Sequence, residues 1–140
     1  MRNCGNLVDM SYGADGLSAD TEDVGDALED IGYSSDIDYS TYSISIHEGD
    51  LNAGRPVILR GCTDYSCSWW WCWGTGNCHA WVSDGYRKMY HSCYGSYPEW
   101  HMNWDWNGQG ANAFYYNPTP ATSENFNFQH GRKILHGIHH

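Results

Sequence analysis

His79 stands where an apolar run begins, in Gly76-Asn77-Cys78-His79-Ala80-Trp81-Val82, with Asp84-Gly85-Tyr86 close behind. Small or flexible residues before a strand hold an imidazole firmly and leave its edge open to a cleft. Histidine titrates near neutrality, so such a ring can take a proton from a thiol and return it to a leaving amine. A lone strand histidine is more often structural, and spacing alone leaves both readings open. A second cluster, His101-Met102-Asn103-Trp104-Asp105-Trp106-Asn107-Gly108, offers the Asn103 amide. An amide of this kind can orient one ring nitrogen of a catalytic histidine. The neighbouring Trp104 and Trp106 would shield that hydrogen bond from water. Taken by itself, the cluster reads more simply as an aromatic strand whose indoles fill a core.

Cysteine is the third chemistry-bearing type. Cys62, Cys67, Cys72 and Cys78 crowd into one segment with Trp69-Trp70-Trp71 and Trp73, whereas Cys4 and Cys93 lie apart. Zinc ligation by these thiols with His79 is one reading, but Cys62-x4-Cys67-x4-Cys72 fits structural zinc spacing only loosely, and a ligated His79 could not act as a base. One or two disulfides pinning a loop over a cleft is a second. Free, partly buried thiols in a mobile loop is the simplest. An exposed tryptophan cluster would instead be a binding surface. His136, His139 and His140 read as a solvated tail or the remnant of a purification tag.

The elements that must carry these residues are mostly strands. Residues 20–32 are the clearest helix: Val24, Ala27, Leu28 and Ile31 share one face, Asp20 is placed to cap it, Glu22 and Asp23 suit its positive end, and Gly32 supplies a left-handed stop. Residues 42–54 are ambiguous between a strand alternating Tyr42, Ile44 and Ile46 and a short helix ending at Gly54. Val57-Ile58-Leu59, bounded by Pro56 and Gly61, has the pattern of a buried strand. Ala80-Trp81-Val82 then meets Asp84-Gly85, a hairpin-type turn, with Lys88 to His91 returning. Trp100, Met102, Trp104 and Trp106 alternate onto one side. Ala113 to Tyr116 and Lys133 to Leu135 complete the apolar runs, and Thr119 to Asn125 is a polar loop. Short strands joined by glycine-rich turns predict an α+β chain with an antiparallel sheet or half-barrel.

With 140 residues and no visible linker, residues 1–140 are expected to form a single domain. Seven basic against 17 acidic residues give a net charge of -10. Phosphate backbones need Lys and Arg to release counterions, so no nucleic acid partner is expected. No stretch approaches the roughly 20 apolar residues of a membrane span. No export leader opens the chain, and Met1 precedes a sequence that reads as the middle of a protein.

His79-Ala80-Trp81-Val82 with Asp84-Gly85-Tyr86, followed by Asn103-Trp104-Asp105-Trp106, resembles the second half of the streptopain family of papain-like cysteine peptidases. The usual family pattern is Gly-His-Ala-Phe-Val, then Asp-Gly-Tyr, then Asn-Trp-Gly-Trp-Gly-Gly. Met10-Ser11-Tyr12-Gly13, Gly32-Tyr33-Ser34 and Leu51 with Gly54-Arg55-Pro56-Val57 resemble family landmarks in the same order, and residues 126–138 resemble its closing strand. The resemblance implies the sheet-rich half of a papain-like fold with one or two helices before it. It implies His79 as general base and acid, with Asn103, Trp104 and Trp106 orienting and shielding the ring. It implies a polypeptide substrate, secretion or cell-surface display, an inhibitory pro-segment, and neither metal nor organic cofactor. Asp105 and Asn107 replace two glycines of the pattern, and the Cys62–Cys78 segment is foreign to it. The family nucleophile opens a helix in a run resembling Cys-Val-Ala-Thr-Ala, well upstream of the Met-x-Tyr-Gly landmark. Cys4, followed by Gly5-Asn6-Leu7-Val8, does not match that run. The expectation is therefore a histidine-bearing C-terminal part that needs the missing N-terminal part of the same enzyme to act. A non-catalytic tryptophan-rich module binding a glycan or a protein is the alternative, and a zinc-stabilised interaction domain is a third.

Overall fold

The structure is a computed structural model and describes residues 6–8, 11–13, 16–18, 20–93, 95–104, 113–115 and 128–140. In chain order the elements are β1 (Ser11–Gly13), β2 (Gly16–Ser18), α1 (Asp23–Asp30), β3 (Asp38–Thr41), α2 (Ile44–Asn52), β4 (Val57–Ser68), β5 (Trp71–His91), β6 (Gly95–Asn103), β7 (Ala113–Tyr115) and β8 (His130–His136). Strands β1 and β2 form a small antiparallel pair. The other six make one sheet in the order β3-β8-β4-β5-β6-β7, antiparallel throughout. The expected α+β class, with an antiparallel sheet and two helices ahead of most of it, is what the chain adopts.

Both helices stop for the same reason. Gly32 and Gly54 take left-handed backbone (φ 101° and 74°). Tyr33 N–H then donates to Leu28 O, and Arg55 N–H to Asp50 O, closing the last turn with the bond pattern of a Schellman end. Helix α1 is shorter than 20–32 because Asp20 acts ahead of it, its carboxylate accepting from the Glu22 N–H. Its buried face is Gly25 and Ala27, while Ile31 is 56% exposed, so the i+7 position has already left the contact. A side chain at Gly25 would press on Leu135 and Ile37, which explains a glycine in mid-helix.

Residues 44–52 are helix, not strand, although Ile44, Ile46 and Gly49 are poor helix formers. Tertiary contacts override that preference through polar anchors, since the buried residues of α2 are His47 and Asp50. The Asp50 carboxylate accepts from Arg55 Nε (2.7 Å) and from the Gly137 N–H (2.8 Å), tying α2 to the end of β8. Gly137 needs to be glycine twice over: its φ is 78°, and a Cβ there would run into the Asp36 carbonyl.

The Asp84-Gly85 turn expected from sequence is absent. Strand β5 runs through it as one element of 21 residues. The register with β6 shifts between Ser83–Met102 and Gly85–His101, leaving Asp84 as the extra residue of a bulge. The chain turns later, between His91 and Gly95. The Cys/Trp segment is likewise no loop of free thiols. It is a β-ribbon, Cys62–Ser68 paired with Trp71–Cys78, closed by a Cys62–Cys78 disulfide, and Cys67 is disulfide-bonded as well. The C-terminal residues are packed rather than a solvated tail: His136 is the last residue of β8, Ile138 is buried, and the His139 carbonyl accepts from the Ser34 N–H.

The aromatic-rich core cluster lies on one side of the sheet, while Leu135 is buried on the other, against α1. Val57, Leu59, Trp81, Trp100, Met102, Trp104, Phe128 and Ile134 form the cluster, with Ile46 and Leu51 of α2 packed against them. The alternation predicted for Trp100, Met102 and Trp104 holds, all three being buried. Trp106 and the 119–125 loop lie outside the described residues.

Candidate active site

Register decides what faces His79. Leu59 pairs with Trp81 and Gly61 with His79, while Ser83 pairs with Met102. In antiparallel strands directly opposed residues share a face and alternate residues return to it. His79, Trp81 and Ser83 therefore lie on the core side of β5, with Met102 and Trp104 beside them. His79 sits at the rim of that core, half-buried.

Its Nε2 lies 3.1 Å from the Trp104 carbonyl. A carbonyl only accepts, so His79 donates, and the neutral ring carries its proton on Nε2. The basic nitrogen is then Nδ1. Aromatic rings wall the imidazole: Trp81 at 6.3 Å and Trp104 at 6.2 Å lie nearly parallel to it, and Phe128 is at 5.6 Å. Trp81 and Trp104 are themselves 4.6 Å apart. These buried rings fix the plane of the imidazole and exclude water from one side of it.

Two features that the sequence reading did not tie to His79 support this arrangement. Gly61, opposite His79, leaves room for the Phe128 backbone, whose carbonyl would be 2.2 Å from a Cβ at position 61. The Cys62–Cys78 disulfide joins the next pair along the ribbon, clamping β4 to β5 immediately beside His79. Of the predicted site residues, His79 and Trp104 are brought together. Asn103 pairs with Val82, one step out of phase with Ser83–Met102, and so takes the register of the opposite face. Trp106 is outside the described residues, as are Cys4, Asp105 and Asn107.

Cys62, Cys67 and Cys78 are disulfide-bonded, which removes them as thiolate ligands or nucleophiles. Among the described residues the free thiol is Cys93, exposed beyond the far end of β5 from the ribbon, with its N–H donating to His91 Nδ1 (3.1 Å). No group of three His, Cys, Asp or Glu among the described residues could hold a metal ion.

A second histidine was not singled out at all. His47 is fully buried, with Nε2 2.9 Å from Ser83 Oγ and Nδ1 3.3 Å from the Tyr42 hydroxyl. Ser83 donates to the His101 carbonyl at 3.0 Å. The serine proton is thereby committed, so His47 donates from Nε2 and the Tyr42 hydroxyl donates to Nδ1. Trp100 stacks on the ring at 5.7 Å. Burial pushes the His47 pKa down to about 4, against a smaller opposing pull from Asp50. Burial likewise raises that of Tyr42. A serine within reach of a histidine suggests hydrolytic chemistry, but Ser83 is inaccessible and its hydrogen bonds are all satisfied internally. This is a core network that docks α2 on β5.

On the outer part of the sheet, His101 Nδ1 and the Asp84 carboxylate pair across the bulge, and Arg87 bridges to Glu99 at 2.8 Å. No helix of the described residues is long and apolar enough to cross a membrane.

A family model described as the Peptidase C10 family matches residues 1–115, a span that contains His79, Asn103, Trp104 and Trp106. No curated protein matches the chain.

Proposed function

Because the chain belongs to the Peptidase C10, or streptopain, family of cysteine peptidases, we propose that His79 is its catalytic base and acid, acting on a thiol carried outside the described residues. The observation that carries this reading is the His79–Trp104 contact. It leaves Nδ1 as the proton-accepting nitrogen, on a ring held by three aromatic side chains and only half-buried. Nδ1 would take the thiol proton, and the thiolate would attack a peptide carbonyl of a polypeptide substrate. The imidazolium would protonate the leaving amine, and water would release the acyl-enzyme. The orienting acceptor is the Trp104 carbonyl. Asn103 contributes by its pairing with Val82, which sets where that carbonyl lies. By the family resemblance alone, Trp106 would also shield the ring. The chemistry calls for no cofactor.

The nucleophile would belong to an N-terminal part of the same enzyme: Cys4 does not match the family's nucleophile run, Cys62, Cys67 and Cys78 are disulfide-bonded, and Cys93 is exposed beyond the far end of β5. Disulfides form and persist in oxidising compartments, which supports secretion or cell-surface display. An inhibitory pro-segment fits the same scheme.

The test is intact mass after incubation with an epoxide selective for papain-like thiols, on this chain and on His79→Ala. The expected result is no stoichiometric adduct on either. One adduct that disappears in the variant would place the activated thiol within these 140 residues. Nitrogen-15 NMR should show His79 protonated at Nε2 in its neutral form. The opposite tautomer would remove the proposed base.

A further inference from the structure

Beyond Cys62 the β4–β5 pair leaves the rest of the sheet. Strand β8 follows β4 only as far as Cys62–His130, and β6 follows β5 only as far as Asn103–Val82. From there to the Ser68–Trp71 pair the ribbon has no further strand beside it among the described residues, and it closes on Trp69 and Trp70. Those two indoles are 94% and 84% exposed, the most exposed large apolar side chains among the described residues. Folding ordinarily removes indoles from water, so placing two at the end of a cross-linked arm needs a reason.

We propose that this tip docks on an uncharged, zwitterionic lipid surface, with Trp69 and Trp70 entering the headgroup layer. Three features select that occupant. The tip is convex, a two-residue turn at the end of a ribbon, whereas small-molecule and sugar sites are concave. A convex indole pair is covered most simply by a medium that deforms around it, and tryptophan favours the membrane–water boundary. Charge is the second feature. Residues 65–78 carry no charged side chain, on a chain of net charge -10. An anionic surface would repel the body of the protein, and a zwitterionic one would not. Third, the ribbon strands hydrogen-bond each other up to Ser68–Trp71, so entry of the turn alone leaves few backbone groups to desolvate. The disulfide at Cys62–Cys78 holds the base of the arm and so limits the order lost on docking. Docking is peripheral and does not depend on the role of His79.

The experiment is flotation of the chain with phosphatidylcholine vesicles, alongside a Trp69→Ser/Trp70→Ser variant whose fold is checked by near-ultraviolet circular dichroism. The unsubstituted chain should float with vesicles, and the double variant should lose at least about tenfold in partition, because indole area no longer leaves water. Brominated lipid should quench part of the tryptophan emission of the unsubstituted chain, a readout that needs no variant. Phosphatidylserine vesicles at low salt should bind it less than phosphatidylcholine. Equal flotation of chain and variant, or none by either, overturns the proposal. So does lipid-free self-association, or saturable binding to a glycan array, that the double substitution abolishes while vesicles do nothing.

Discussion

Two histidines hang on the same side of the sheet and make similar first contacts, yet their surroundings assign them opposite roles. His47 donates from Nε2 to Ser83 within a closed network of Tyr42, Ser83 and the His101 carbonyl, with no exposed surface. His79 donates from Nε2 to a carbonyl and stays half-exposed at the rim. Burial drives the first toward permanent neutrality, with a pKa near 4. The second is fixed in orientation without being sealed from solvent. A hydroxyl within hydrogen-bond reach of an imidazole is therefore no sign of catalysis. Access and the destination of the hydroxyl proton decide it.

The largest expected effect tests whether the wall around His79 belongs to the core. Trp104 is 1% exposed and packs against Trp81, His79, Phe128 and Tyr115. Trp104→Ala should cost about 3–5 kcal/mol in urea unfolding, the usual range for truncating a buried large aromatic. It should also broaden the His79 ring signals and leave those of His47 sharp. A loss below about 1 kcal/mol would mean that the indoles only cover the site.

Titration should separate the histidines next. The folded pKa of His47 lies below its unfolded value of 6.5, so the unfolded chain binds the extra proton between the two. Stability from this residue is thus fully present above pH 6.5 and lost progressively as pH falls toward 4. The loss is on the order of 3 kcal/mol. His47→Gln should flatten that part of the pH–stability curve, measured by urea midpoints at closely spaced pH. An unchanged slope would show that His47 is not buried in neutral form.

Gly61→Ala should act on His79 alone. The new methyl must displace the Phe128 backbone, at a cost of about 1–3 kcal/mol. His79 resonances should shift and the His47 pKa should not. If both respond, the two sites share one mechanical unit.

These contrasts also mark what was legible in the sequence. The apolar runs fixed most strands, and Gly32 and Gly54 announced helix ends, because period and left-handed glycine are local properties. Asp84-Gly85 misled because the same dipeptide serves a turn or a bulge, and the choice is made by the partner strand, here by Met102 and His101. The helix at 44–52 rests on two polar residues buried by distant contacts, Ser83 for His47 and Gly137 for Asp50, which no periodicity of apolar residues displays. His79 and Trp104 were legible through motif resemblance. Gly61 and Phe128 were not, since only the β4–β5 register and the return of the chain ahead of β8 bring them to the ring.

The smallest expected effect is the most discriminating between the two histidines. Ser83→Ala deletes the acceptor of the His47 Nε2–H and frees the His101 carbonyl. A stranded buried donor is costly, but the His47 ring has a way out. It can move its proton to Nδ1 and donate to the Tyr42 hydroxyl oxygen, already 3.3 Å away. The net loss should then be about 1–2 kcal/mol rather than the full penalty of an unpaired group. Nitrogen-15 shifts should report His47 switching from the Nε2–H to the Nδ1–H form while His79 keeps its proton on Nε2, because nothing in its contact with Trp104 has changed. If His79 switched as well, or if His47 did not, the division between a sealed structural histidine and a poised rim histidine would fail at its first step. The tautomers would then be set by something other than the hydrogen bonds on which that division rests.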